Sequence, residues 1–178
     1  MNHHTPLWAA GAFEGLRVLV TGGLGGIGRA LVAQCEALGM QVVVADLAGS
    51  IERHGRSSLR TMAMDAKDPA SVQNAVDHAV RELGGLDACV NLVGYMSPAQ
   101  PLAQTALDTW NDVLRGNLDS AFYISRAVLP HLHASSRASL VHVASGLGAW
   151  ARPLYGAYGP AKAGLILMMR ELALENAP

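Results

Sequence analysis

Cysteine, charge and long hydrophobic runs are all scarce in this sequence. Its 178 residues include two cysteines, Cys35 and Cys89, each inside an apolar stretch. That excludes a disulfide framework and any metal-ligand spacing, and both read as small core residues of a reducing compartment. Charged residues make up 15% of the chain, and 13 Lys and Arg stand against 14 Asp and Glu for a net charge of −1. Without a basic run there is no electrostatic surface for nucleic acid. The longest apolar runs fall short of the roughly 20 residues that span a bilayer. The opening "MNHHTPLWAAGAFEG" has no basic n-region and its apolar stretch ends at Glu14, so it is not read as a secretory leader. Residues 1–14 are taken as an N-terminal extension, and His3 and His4 as neither a metal site nor a tag. The expectation is a soluble cytoplasmic protein with no metal.

What the sequence does have is apolar residues, 51% of the total, enough for the core of one domain. Their period alternates between two and 3.6. Short β-branched runs at Arg17–Gly22, Gln41–Asp46, Leu59–Asp65, Leu86–Asn91 and Ala138–Ser145 read as buried parallel strands. Helical spacing links Ala30, Leu31, Cys35 and Leu38 before Gly39, and again Val72, Ala75, Val76, Ala79, Val80 and Leu83. A long helix is expected around Leu107–His133, with Trp110, Val113, Leu114, Ala121 and Phe122 as its buried stripe, and a last helix from about Tyr155 to Asn176. Strand alternating with helix predicts an α/β fold, a Rossmann-type doubly wound parallel sheet in a single domain over 15–178.

"VTGGLGGIGRA", Val20–Ala30, carries five glycines in eleven residues and joins the first strand to a helix. Two registers fit it. Gly23, Gly25 and Gly28 spell G-x-G-x-x-G, and Thr21, Gly22, Gly26 and Gly28 spell T-G-x-x-x-G-x-G. Either way, free backbone N–H groups and the positive end of a helix dipole meet at one point, an arrangement that binds phosphate. Asp46 closes the second strand, eighteen residues after Gly28. A carboxylate there can accept both hydroxyls of an adenosine ribose and repels a 2′-phosphate. With no Lys or Arg in Gly22–Gly26 and Leu47 following Asp46, NAD is favoured over NADP. Asp65, after the third strand, can contact an adenine amino group or simply make a turn. These features also fit an S-adenosylmethionine-dependent methyltransferase.

The second half of the chain separates the two. "YGAYGPAKAG" puts Tyr158 and Lys162 four residues apart, on one face of a helix. A phenol, with a reference pKa near 10, is a poor base at neutral pH unless a neighbouring ammonium stabilises its anion. Taken alone, the pair also describes an ordinary exposed helix surface. Ser145 stands thirteen residues before Tyr158, where a doubly wound sheet binds its ligands. Asn117 falls within the buried stripe of the long helix, beside the weak helix former Gly116.

On these motifs the sequence resembles the short-chain dehydrogenase/reductase family from about Gly15 to its last residue. The resemblance is carried by "TGGLGGIG" (Thr21–Gly28, with Ile27 inside it), Asp65, "NLVG" (Asn91–Gly94), Asn117, Ser145 and "YGPAK" (Tyr158–Lys162). It selects the register Thr21, Gly22, Gly26, Gly28 and implies an NAD(P)-dependent oxidoreductase that interconverts a secondary alcohol and a ketone. The implied roles are Tyr158 as general acid/base, Lys162 on the nicotinamide ribose, Ser145 on the substrate carbonyl and Asn117 on a relay water. Thr21, Gly22, Gly26, Ile27, Gly28, Asp46, Asp65, Asn91 and Gly94, with Tyr158 and Lys162, are implied to bind the coenzyme. The sequence departs from the family in Leu92 and Val93, where two smaller residues are usual. It also ends at "ELALENAP", before the further strands and substrate lid that the family carries, so a catalytically incompetent dinucleotide-binding or interaction module is the alternative. Tyr95, Met96, Leu147 and Trp150 suggest an apolar pocket for a small alcohol or ketone. The family implies a homodimer or homotetramer, and a sheet ending at its fifth strand is expected to expose an apolar edge.

Overall fold

Short strands, four of which end in a polar residue, build the core of the molecule. β1 (Arg17–Thr21), β2 (Gln41–Asp46), β3 (Arg60–Ala63), β4 (Ala88–Asn91) and β5 (Ser139–His142) form one parallel sheet in the order β3-β2-β1-β4-β5. The computed structural model describes Ala9 and residues 11–177. Residues 1–8, 10 and 178, and with them His3, His4 and most of the expected N-terminal extension, lie outside the described residues.

Alternation along the strands gives the sheet two apolar faces. Leu19, Val43, Ala45 and Cys89 point to one side, where α3 (Pro69–Leu83) and α5 (Ser120–Leu132) cover them with Val72, Val76, Ile124 and Val128. Val18, Val20, Val42 and Val44 point to the other, against Val32 and Cys35 of α1 (Gly26–Ala37). Both cysteines are buried, and burial pushes the Cys89 thiol up to about 12. The stripe predicted for α3 is the one observed, with Asp68 capping the helix, Pro69 at its first position and Gly84 in the left-handed conformation at its end.

Several elements differ from the sequence reading. A seven-residue helix, α2 (Ala48–His54), links β2 to β3; it buries no residue, so it has no apolar stripe to reveal it. The expected helix over Leu107–His133 is α4 (Leu107–Leu114), a π-helical turn at Arg115–Asp119, then α5. Within it Phe122 is exposed, because it stands on the outer side of α5, away from Ile124 and Val128. β3 and β5 are shorter than read: β5 stops at His142, and Ser145 instead opens a 3-10 turn, Gly146–Gly148, by accepting the Leu147 N–H at 3.2 Å. The last helix, α6 (Tyr158–Asn176), starts three residues later than read, because Tyr155 is held in a bridge with Gln100. β5 is an edge strand, and Val141 and Val143 are exposed along it. No described helix is long and apolar enough to cross a membrane.

Candidate functional site

The glycine loop is shaped by close backbone approach. Gly22 has φ of 69°, and a Cβ there would lie 3.1 Å from the Leu92 carbonyl carbon. At Gly28 a Cβ would lie 2.5 Å from the Gly23 carbonyl carbon, so the first turn of α1 rests directly on the loop. Gly23 in turn sits under Val44, with 2.7 Å available to a Cβ. Gly22, Gly23 and Gly28 therefore shape the loop, while Gly25 and Gly26 are exposed. Gly25 is the N-cap of α1, no side chain caps the helix, and Gly26 and Ile27 sit in its exposed first turn. The free N–H groups and dipole of that turn are suited to a pyrophosphate.

Beside the loop is a cavity of about 620 Å3 lined by Gly22, Gly25, Asp46, Asp65 and Gly94 among others. Both Asp46 oxygens are anchored. Oδ2 accepts the Leu24 N–H at 2.9 Å and Oδ1 the Leu47 N–H at 2.8 Å, which fixes the carboxylate at the end of β2. Asp65 makes a turn through Oδ1, which accepts the Lys67 N–H at 2.9 Å, while it also lines the cavity. This donor and acceptor set fits a dinucleotide; Asp46, Asp65 and Asp112 line the cavity, and the lysine among its lining residues, Lys67, is paired with Asp112.

Thr21 and Asn91 do not reach the cavity; they are buried beneath it in a polar row across the sheet. The register sets Thr21 opposite Asn91 and Asn91 opposite His142. Thr21 Oγ1 donates to Asn91 Oδ1 at 2.7 Å, and Oδ1 also accepts the Val93 N–H at 3.0 Å. Asn91 Nδ2 lies 2.9 Å from His142 Nδ1, and His142 Nε2 lies 3.0 Å from Ser125 Oγ, which donates to the Ala121 carbonyl at 2.7 Å. One arrangement satisfies every group: a neutral His142 whose Nδ1 accepts from Asn91 and whose Nε2–H donates to Ser125. Burial, reinforced by the charge of Lys162, pushes the His142 imidazole down to about 4.

Lys162 is buried at 3% exposure, and among the described residues no carboxylate pairs with it. Its Nζ donates to the Val143 carbonyl at 3.0 Å and lies 5.7 Å from the centre of the Tyr158 ring. Burial lowers its pKa. A buried ammonium with one protein hydrogen bond costs stability, which is a mark of a working site. Asn117, 1% exposed inside the π turn, donates from Nδ2 to the carbonyls of Tyr95 and Val113, each at 2.9 Å, and accepts the Tyr95 N–H at 3.3 Å. Gly94 lies between the two: a Cβ there would be 2.7 Å from Asn117 Oδ1 and 3.1 Å from Lys162 Nζ. The structure thus gathers Gly94, Asn117, Tyr158 and Lys162. Ser145 stands at the head of the 3-10 turn that packs on α6, with no hydrogen bond to Tyr158.

The apolar residues divide differently from the sequence reading. Leu147 and Trp150 line a second hollow of about 700 Å3, with Leu102, Leu154 and Gly159. Tyr95 lines the dinucleotide-side cavity instead, where its hydroxyl finds Lys67 and Asp112, and Met96 is exposed and lines neither.

The profile of the family described as short chain dehydrogenase matches residues 17–178. The chain belongs to that family. Among the relatives of this dehydrogenase-family chain is the 3-oxoacyl-[acyl-carrier-protein] reductase of Salmonella typhimurium, 31% identical over 93% of this chain and 69% of its own length. The L-fucose dehydrogenase of Rattus norvegicus is 31% identical over 95% and 63% respectively. Solved structures agree: an NAD+-bound xylitol dehydrogenase superposes with a TM-score of 0.86 at 28% identity, over 94% of this chain and 67% of that one. Thermoplasma acidophilum aldohexose dehydrogenase gives a TM-score of 0.84 at 25% identity, over 96% and 65%. The chain therefore spans about two thirds of the length of its relatives, and membership makes it an oxidoreductase-type protein on a nucleotide-binding Rossmann fold. His142, Ser125, Lys67 and Asp112 escaped the sequence reading. The one signal for His142 was a polar residue set between Val141 and Val143.

Proposed function

We propose that this protein interconverts a secondary alcohol and a ketone with NAD as its coenzyme. The observation that carries this reading is the buried, unpaired Lys162 ammonium beside Tyr158, Asn117 and Gly94. Bound on the α1 N-terminus and Asp46, the nicotinamide dinucleotide supplies the hydride acceptor or donor. The chain's own residues handle the proton. Tyr158 exchanges its phenolic proton with the substrate oxygen, and the Lys162 ammonium favours the phenolate that this exchange leaves. Ser145 hydrogen-bonds the substrate carbonyl, and Asn117, held rigid by three hydrogen bonds, orients a water on the path to Lys162. Gly94 leaves room for Asn117 Oδ1 and Lys162 Nζ, both of which a Cβ would crowd, Gly26, Ile27 and Gly28 present the helix N-terminus, and Thr21 and Asn91 support the loop from below.

The anchored Asp46 and the acidic cavity support NAD rather than NADP as the coenzyme. Two relatives point the same way, the NAD+-bound xylitol dehydrogenase and the 2-dehydro-3-deoxy-L-rhamnonate dehydrogenase (NAD(+)) of a Sphingomonas strain, 29% identical. The substrate is a small alcohol or ketone seated in the hollow of Leu147 and Trp150, and the working form is a homodimer or homotetramer in the cytoplasm. The test is reduction of a ketone panel by NADH, alongside Tyr158→Phe. We expect turnover by the wild type, loss of turnover by at least about a hundredfold in the variant, and coenzyme binding retained. Equal loss of binding and turnover refutes the role of Tyr158. Wild-type NADH binding with no turnover on any ketone favours the binding-module reading.

A further inference from the structure

Lys67, Tyr95 and Asp112 come from three separate segments, the β3–α3 connection, the turn after β4, and α4, yet their side chains meet at one end of the 620 Å3 cavity. Lys67 Nζ lies 2.5 Å from Asp112 Oδ1, 3.2 Å from the Tyr95 hydroxyl and 4.7 Å from the centre of the Tyr95 ring. The Tyr95 hydroxyl also donates to Asp112 Oδ2. Arg115, on the π turn, donates to the Lys67 carbonyl at 3.3 Å. The Tyr95 ring lies against Gly116, where an added Cβ would collide with its Cε1 and Cδ1. Burial works against the Lys67 ammonium, but its bonds to Asp112 and Tyr95 carry its pKa above the ordinary value, and Lys67 holds Asp112 below it.

Two of the three members are joined to residues already placed in the site. The Lys67 N–H is held by Asp65 Oδ1, on the adenosine side. The Tyr95 backbone is gripped at both N–H and carbonyl by Asn117, beside Lys162. We infer that Lys67, Tyr95 and Asp112 form a clasp that ties the Asp65 turn to the Asn117 turn, and that Tyr95 is a positioning residue for the dinucleotide. This rests on the proposed coenzyme site. It adds that the two ends of that site are set against each other by a side-chain bridge. Isolated exposed ion pairs contribute little; three members sharing one geometry, two of them fixed through backbone, can hold a cavity wall in place.

Tyr95→Phe keeps the ring on Gly116 and removes only the hydroxyl, Asp112→Asn removes the charge, and Lys67→Arg keeps it. Fluorescence titration of NADH, with no substrate present, is run on the full chain and on each variant, together with thermal unfolding. We expect the dissociation constant to rise roughly fivefold in Tyr95→Phe and Asp112→Asn. The Lys67→Arg variant should lie closer to wild type, and unfolding midpoints should stay within about 2 °C. A KM for coenzyme that rises more than the KM for ketone is the accompanying signature. Unchanged NADH affinity in all variants overturns the clasp while leaving the coenzyme site standing, as does weakened affinity that merely tracks a lowered unfolding midpoint. A wild type that binds no NADH overturns the coenzyme reading itself, and the clasp with it.

Discussion

Acid removes stability from this protein through His142 in a way the polar row makes calculable. The imidazole titrates at about 4 in the folded chain against a reference of 6.5. Burial is the main cause and the Lys162 charge the lesser one. Because the folded value is the lower one, the unfolded chain takes up its proton first. Stability is therefore unaffected above the unfolded value and is lost as pH falls below 6.5, at a slope approaching 1.4 kcal/mol per unit. By pH 4 the loss reaches roughly 3 kcal/mol, a large share of the 5–15 kcal/mol of an ordinary domain. A proton on Nδ1 would face the Asn91 amide donor 2.9 Å away, so the charged ring has no good partner on that side. The assay is urea unfolding by tryptophan fluorescence at pH 7, 6, 5 and 4.5, for wild type and His142→Gln. The variant has nothing to titrate there, so its stability should fall less between pH 6.5 and 4.5, by about 1 kcal/mol per unit. Parallel slopes for the two proteins would refute the argument, because some other group would then carry the acid sensitivity.

Gly28→Ala forces a Cβ to within 2.5–2.6 Å of the Gly23 backbone, where neither side can rotate away. A loss of about 1–3 kcal/mol in urea unfolding is expected, with weakened NADH binding in fluorescence titration, and an unperturbed variant would mean the loop is softer than described. At the opposite end of the sheet, Arg17 grips Asp87 through Nε at 2.9 Å and Nη2 at 2.6 Å, and Ser135 adds a bond at 2.7 Å. The guanidinium holds the Asp87 carboxyl well below the usual carboxylate range. With the folded value depressed, this contribution is present above about pH 4 and lost as pH falls further. Asp87→Asn should cost about 2 kcal/mol at pH 7 and progressively less as pH falls from about 4 toward 2, read from denaturant midpoints across that range.

Periodicity and glycine spacing carried far in this chain. The α3 stripe from Val72 to Leu83 is unbroken because that helix is buried along a single face, and β1 with its glycine loop is visible for the same local reason. Tyr158 and Lys162 were legible because both sit within one turn of one helix. The π turn was not, since one added residue leaves the apolar spacing of α4 and α5 nearly intact; Gly116 was its only trace. α2 buries nothing and so has no pattern. The clasp joins residues 28 and 17 positions apart, and only the folded arrangement of three segments brings them together.

Short apolar strands carry a hidden ambiguity. A slide of β1 against β4 by two residues preserves the inward and outward faces and exchanges one apolar neighbour for another, Val20 meeting Ala88 in place of Val90. The row Thr21–Asn91–His142 runs crosswise to the strands and removes that freedom. Two residues out of step, Thr21 would stand opposite Cys89 and lose the Asn91 amide, stranding buried polar groups at about 1–3 kcal/mol each. The polar row thus works as an alignment key for the carboxyl ends of β1, β4 and β5, from which the loops carrying Gly22, Gly94 and Ser145 all depart.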